Sequence, residues 1–263
     1  MTDFRVNGIV IKETDFGEYD KLLTILTEKD GKLFVVVKGV KSVRSRHMAT
    51  TQLFSYSSFN LRKRGNYYYI TDSDLIENYF DIRNDMLKVS LATFVCDVIS
   101  HIAREEIEEA GLLKLVLNTL FAIAKNIRSL EIIRAAFELR VALECGFMPD
   151  LTMCNTCYEV NPEYIYIDIM DGIFTCDKCH SKASSFANAE DPFLNAGISK
   201  PIAAVSFSVL TAMRYVLFSK PERFLAFNLD PTEQPSFFNV CEKYLLNHLE
   251  KGFYSLDFYK SLL

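Results

Sequence analysis

Four of the seven cysteines fall in two CxxC pairs, Cys154-Asn-Thr-Cys157 and Cys176-Asp-Lys-Cys179, eighteen residues apart. A tight turn aims two sulfurs so spaced at one ion, with its backbone N–H groups pointing back at the thiolates. Two such turns complete a tetrahedral sulfur shell, and the ion they imply is Zn2+. A shell filled by protein sulfur leaves no position for substrate or water, so the expected role is structural. His180, next to Cys179, can stand in for one sulfur, but beside a complete four-cysteine set it reads as a neighbour of the site. Cys96, Cys145 and Cys241 lie in apolar helical contexts and no secretory leader precedes Met1. A reducing cytosol is expected, not a disulfide framework.

The second set of residues that could do chemistry is cationic. The net charge is -5, yet residues 31 to 71 hold no Asp or Glu while carrying Lys32, Lys38, Lys41, Arg44, Arg46, Arg62, Lys63 and Arg64. Such asymmetry is the mark of a polyanion binder. Lys38, Lys41, Arg44 and Arg46 follow one another in a Gly- and Ser-containing loop, and Arg62, Lys63 and Arg64 end a strand; these seven are the candidate nucleic-acid contacts. Nothing within the window can pair them. Phe34, Phe54, Tyr56, Phe59 and Tyr67 to Tyr69 are interleaved with them, as rings for stacking on bases or as barrel core. Enzyme signatures are absent: there is no GxGxxG, phosphate-binding loop, GxSxG or HExxH, and Met153 and Thr175 stand where a zinc deaminase has Pro before its CxxC. Asp15, Glu18 and Asp20 cluster in a turn-rich stretch and read as turn formers.

The elements that must position these groups change period along the chain. Five short strands are expected before residue 72: residues 5–12, 21–27, 32–38, 53–62 and 66–71. With no helical pattern between them they make a small antiparallel barrel such as the OB-fold. Apolar residues then recur at three and four, giving three amphipathic helices, with Gly111 between the first two and Gly146 with Pro149 closing the third. Around Asp171-Gly172 alternation returns and predicts a hairpin between the CxxC pairs, hence a zinc-ribbon-like insert. A helix over residues 201–218 and another over 236–250 complete the chain, after an extended stretch at 183–199. The fold class is α+β: barrel at 1–80, helical domain at 81–149 and 184–263, zinc insert at 150–183. No run of eighteen apolar residues suggests a membrane span.

The chain resembles the RecO family of bacterial recombination mediators. The resemblance rests on Gly8-Ile-Val-Ile-Lys12, residues 15–28, Gly31-Lys32, Lys38-Gly39, Gln52-Leu-Phe54, Asp74-Leu-Ile-Glu77, Phe137-Glu-Leu-Arg140, and Gly146-Phe147 with Pro149 before the first CxxC. Tyr158 stands after Cys157 where the family commonly has Gly. The resemblance covers about two-thirds of the chain and is faint in the last eighty residues. It implies an N-terminal OB-fold, a helical domain and a four-cysteine zinc site. It also implies a non-enzymatic, cytoplasmic, nucleoid-associated protein that binds single- and double-stranded DNA and anneals strands. With RecR, such a protein helps RecA displace single-strand-binding protein. Contact with that protein's acidic C-terminal tail would use Lys125, Arg128, Arg134 or Arg140. The competing readings are a zinc-stabilised protein-interaction scaffold without nucleic-acid binding, and a zinc hydrolase or transferase.

Overall fold

The computed structural model describes residues 3–42, 45–187 and 201–263, the side chains of 184–187 apart; Arg44 lies outside them. The chain divides into two compact units, Met1–Leu130 with Phe253–Leu263, and Glu131–Gly252. The division falls inside the first helical stretch of the sequence.

In the first unit, strands β1 (Phe4–Phe16), β2 (Asp20–Thr27), β3 (Lys32–Val37), β4 (Tyr56–Arg64) and β5 (Tyr67–Glu77) close a barrel in the order β1-β2-β3-β5-β4. Four pairings are antiparallel, and a short parallel one closes the barrel, Val35 facing Tyr68 and Val36 facing Tyr69. This is the OB-fold arrangement. Val10, Leu23, Ile25, Leu33, Val35, Val37, Phe59 and Leu61 fill the interior, with Phe4, Val6, Tyr68 and Ile70 packed against them. β1 runs through residues 15 and 16, and the turn shrinks to residues 17–19, with Gly17 at φ 75°. The acids read as turn formers act as ties: the Asp20 carboxylate accepts Gly39 N–H at 2.8 Å, and Asp15 meets Lys41 at 3.1 Å.

Helices α1 (Met86–Ile102) and α2 (Ala110–Lys125) follow. The Asp85 carboxylate caps α1 by accepting from Leu87 N and Lys88 N. Gly111 lies inside α2, in the first turn; an acidic loop, residues 103–109, makes the break instead. A helix the periodicity does not disclose, Tyr254–Ser261, packs on α1 with Phe253 edge-on to Phe94 at 5.8 Å.

In the second unit, α3 (Leu130–Glu144) ends in a left-handed Gly146, φ 80°, with Gly146 N–H bonded to Leu143 O and Phe147 N–H to Ala142 O. Next come β6 (Tyr164–Asp168), β7 (Phe174–Cys176), α4 (Asp177–Ala187), β8 (Ile202–Ser206), α5 (Phe207–Phe218) and α6 (Gln234–Leu249); the terminal Tyr254–Ser261 helix is α7. β8 corrects the expected helix over residues 201–218. Ala203 and Val205 are buried in alternation with exposed neighbours, and β8 pairs with β6. The helix begins only where Ser206 Oγ accepts Val209 N–H. Arg134 and Arg140 are buried, and each works inside this unit. Arg134 meets Glu138 at 2.6 Å and Glu242 at 2.8 Å; Arg140 donates to the carbonyls of Val216, Leu217 and Ser219 at the end of α5. A partner's acidic tail therefore finds neither arginine on the surface.

Candidate metal centre and nucleic-acid interface

Cys154 and Cys157 lie on the turn after α3, Cys176 ends β7 and Cys179 sits in the first turn of α4. The β6–β7 hairpin between them turns through Gly172, φ 66°, where an added Cβ would lie 2.6 Å from Tyr244 Oη. The four sulfurs lie within 4.8 Å of one another, and Cys157 Sγ is 3.6 Å from Cys176 Sγ. A tetrahedral zinc–thiolate shell has sulfurs roughly 3.8 Å apart. The donor set and spacing thus fit a metal ion of that kind.

Backbone donors aim inward, as a thiolate knuckle requires: Cys176 N–H points to Cys154 Sγ at 3.3 Å. Burial alone would raise the Cys154 thiol, but the N–H groups of Cys157, Cys176 and Thr156 bring it down to about 6. Hydrogen bonding with Cys157, then burial, pushes Cys179 up to about 12. A dication bound by the four sulfurs would take the place of their protons. His180 stacks flat on Tyr166, ring centroids 3.7 Å apart, beside the cluster.

The cations divide into two groups. Nothing within the window of residues 31–71 pairs them among the described residues, but carboxylates from outside it hold three: Lys41 to Asp15, Arg62 to Asp3 at 2.6 Å, and Lys63 to Glu106 at 3.0 Å. The Arg62 hydrogen bond holds the Asp3 carboxyl below its usual range. Lys38, Arg46 and Arg64 have no carboxylate partner among the described residues and gather about β5. Lys38 Nζ and the Arg64 guanidinium lie 5.8 and 5.7 Å from the Tyr69 ring, and Arg46 donates to Thr71 O at 2.8 Å. Lys32 is turned to Ser100 O.

The aromatics divide as well. Phe54 and Phe59 are buried core, whereas Tyr67 is exposed. Two rings outside the earlier set are exposed as well: Phe16, its centroid 6.0 Å from that of Tyr67, and Tyr19, which is 67% exposed on the turn after β1. Their signal in the sequence was an aromatic pair flanking a glycine turn, masked by the acids around it. Both turns that carry these rings, residues 17–19 and 65–66, are the loops through which OB-folds take oligonucleotides.

Lys125 stays on the surface, held by Asp81 at 2.7 Å beside exposed Phe80 and Phe121. No helix among the described residues is long and apolar enough to cross a membrane.

Comparison with known proteins agrees with this architecture. Residues 1–79 match the family model described as Recombination protein O N terminal, and residues 83–192 the one described as Recombination protein O C terminal. The DNA repair protein RecO of Acetivibrio thermocellus is 30% identical over 263 residues, covering 100% of this chain and 98% of that protein. That of Alkaliphilus metalliredigens is 26% identical over 259 residues, 98% of this chain and 99% of its own. The likeness to both relatives thus continues through the last eighty residues. With barrel, helices and four-cysteine cluster in the same chain, the protein belongs to the RecO family of DNA repair proteins.

Proposed function

We propose that this chain is a non-enzymatic mediator of recombinational DNA repair. It binds single- and double-stranded DNA, anneals complementary strands and, with RecR, helps RecA load on DNA covered by single-strand-binding protein. It works in the cytoplasm, at the nucleoid. The observation that carries this reading is the gathering of Lys38, Arg46 and Arg64 about β5, the strand that opens on the exposed ring of Tyr67 with Phe16 against it. Cations engage phosphates and release counterions while rings take bases, so two strands in one groove lose their mutual repulsion. Lys41, Arg62 and Lys63 join when phosphate replaces their carboxylates, since exposed pairs are weak in water. Arg44 stands between Lys41 and Arg46 in the sequence and is counted with them. The four cysteines hold a structural Zn2+, and Lys125 beside Phe80 and Phe121 offers a cation next to an apolar surface for the acidic tail of single-strand-binding protein.

Titration of a labelled single-stranded oligonucleotide against salt tests the proposal. With about four to six phosphates engaged, log K falls against log salt with a slope near -3 to -5. Charge reversal at Arg46 and Arg64 reduces both the slope and the annealing rate. The pairing of Lys41, Arg62 and Lys63 favours the competing reading, a protein-interaction scaffold that leaves nucleic acid alone. A slope near zero decides for the scaffold.

A further inference from the structure

The barrel has a second open surface, lined by none of the DNA-contacting candidates. β1 pairs with β4 from Phe4 onward, but its ladder with β2 begins only at Gly8, opposite Thr27. Val10 N–H bonds to Ser55 O at 3.0 Å, and Phe54 N–H bonds to Val10 O at 2.9 Å. Peptide groups alternate sides along an antiparallel strand. Those of Val6 therefore face β4, whereas the peptide group of Arg5 and the N–H of Asn7 face away. Among the described residues no strand lies beside them there.

This short edge borders a groove of about 630 Å³. Val6 and the half-exposed Ile76 supply apolar surface, and Glu28 and Asp30 stand on the turn after β2. The acidic loop between α1 and α2 is fixed to that turn: Glu106 N–H bonds to Asp30 O at 3.1 Å and Glu109 N–H to Glu28 O at 2.8 Å. Glu28, Asp30, Glu105 and Glu108 have no cationic partner among the described residues. Arg5 is held by Asp74 at 2.9 Å, which leaves Lys29 as the other cation of the groove. Bare carboxylates repel phosphate and attract cationic side chains.

We propose that this edge binds an extended, basic segment of a partner protein by strand addition. The peptide groups at Arg5 and Asn7 supply the backbone hydrogen bonds. Cationic side chains of the incoming segment meet Glu28 and Asp30, and alternate apolar ones rest on Val6 and Ile76. None of the candidate nucleic-acid contacts lines the groove, so the proposal holds whether or not the DNA-binding reading does.

The test titrates a fluorescein-labelled peptide of alternating arginine and valine into the full chain by anisotropy, with amide hydrogen exchange alongside. Binding slows exchange at Arg5 and Asn7 by about tenfold or more. Asn7→Ala, which keeps the peptide N–H, binds like the parent, and Asn7→Pro, which removes it, binds about tenfold more weakly. The proposal is overturned by no binding, by binding that leaves those two amides unchanged, or by equal affinity in Asn7→Pro. It is likewise overturned if an oligonucleotide instead of the peptide slows them, or if the chain self-associates through an edge that Asn7→Pro abolishes. Should Asn7→Pro fail to fold, exchange in the parent chain decides.

Discussion

Tyr158 holds a left-handed backbone, φ 63°, with its side chain 69% exposed and its N–H bonded to Cys154 O. The first cysteine knuckle needs that conformation to turn the chain after Cys157, which is why Gly suits the position. Tyr158→Gly should stabilise the second unit by about 1 kcal/mol, since little packing is lost and the strain is removed. A melting temperature that stays level or falls would count against the account. The glycine preference was visible in the family resemblance. Its cause was visible only once the angle was known. The same holds for Arg134 and Arg140. Their type suggested surface cations, yet both are interior: Glu138 meets Arg134 from the next turn of α3, while Glu242 and the last carbonyls of α5 come from distant parts of the chain.

At the scale of elements, the loop after β3 is anchored through His47. Its Nδ1 is 2.7 Å from Ser73 Oγ, and its Nε2 accepts from Arg46 Nε at 3.1 Å. Burial first, and the Arg46 charge second, hold His47 below the ordinary 6.5. A base so shifted favours the neutral folded form. Its contribution is complete above 6.5 and is lost as pH falls through the lower folded value. Acidification below 6.5 should therefore lower the protection of the amides of residues 45–51, once exchange rates are corrected for their intrinsic pH dependence, and His47→Gln should remove that loss. If the parent loop exchanges with no extra acid sensitivity, the anchor has been misassigned. Strands β1 to β5 could be read from alternation because barrel packing repeats every second residue. β8 and α7 could not: the four apolar residues Ile202 to Val205 suit either period, and α7 shows only Leu256 and Tyr259 as buried markers of its face.

On the scale of the whole molecule, the four-cysteine cluster belongs to the unit Glu131–Gly252, while the barrel belongs to the other. A structural site contributes its binding free energy to folding. Chelation, or Cys154→Ser, should therefore lower the melting of the second unit and leave the barrel's transition in place, as scanning calorimetry would register. A thermogram unaltered by chelator would end the structural assignment. By itself the sequence determined the barrel, the helical periods, the sulfur set and the uneven placement of charge, because periodicity and ligand spacing are local properties. Tertiary structure alone decided which cations keep a bare charge and which rings stay in water. Those outcomes depend on carboxylates such as Asp3, Asp15 and Glu106, which reach Arg62, Lys41 and Lys63 only after the chain has closed on itself.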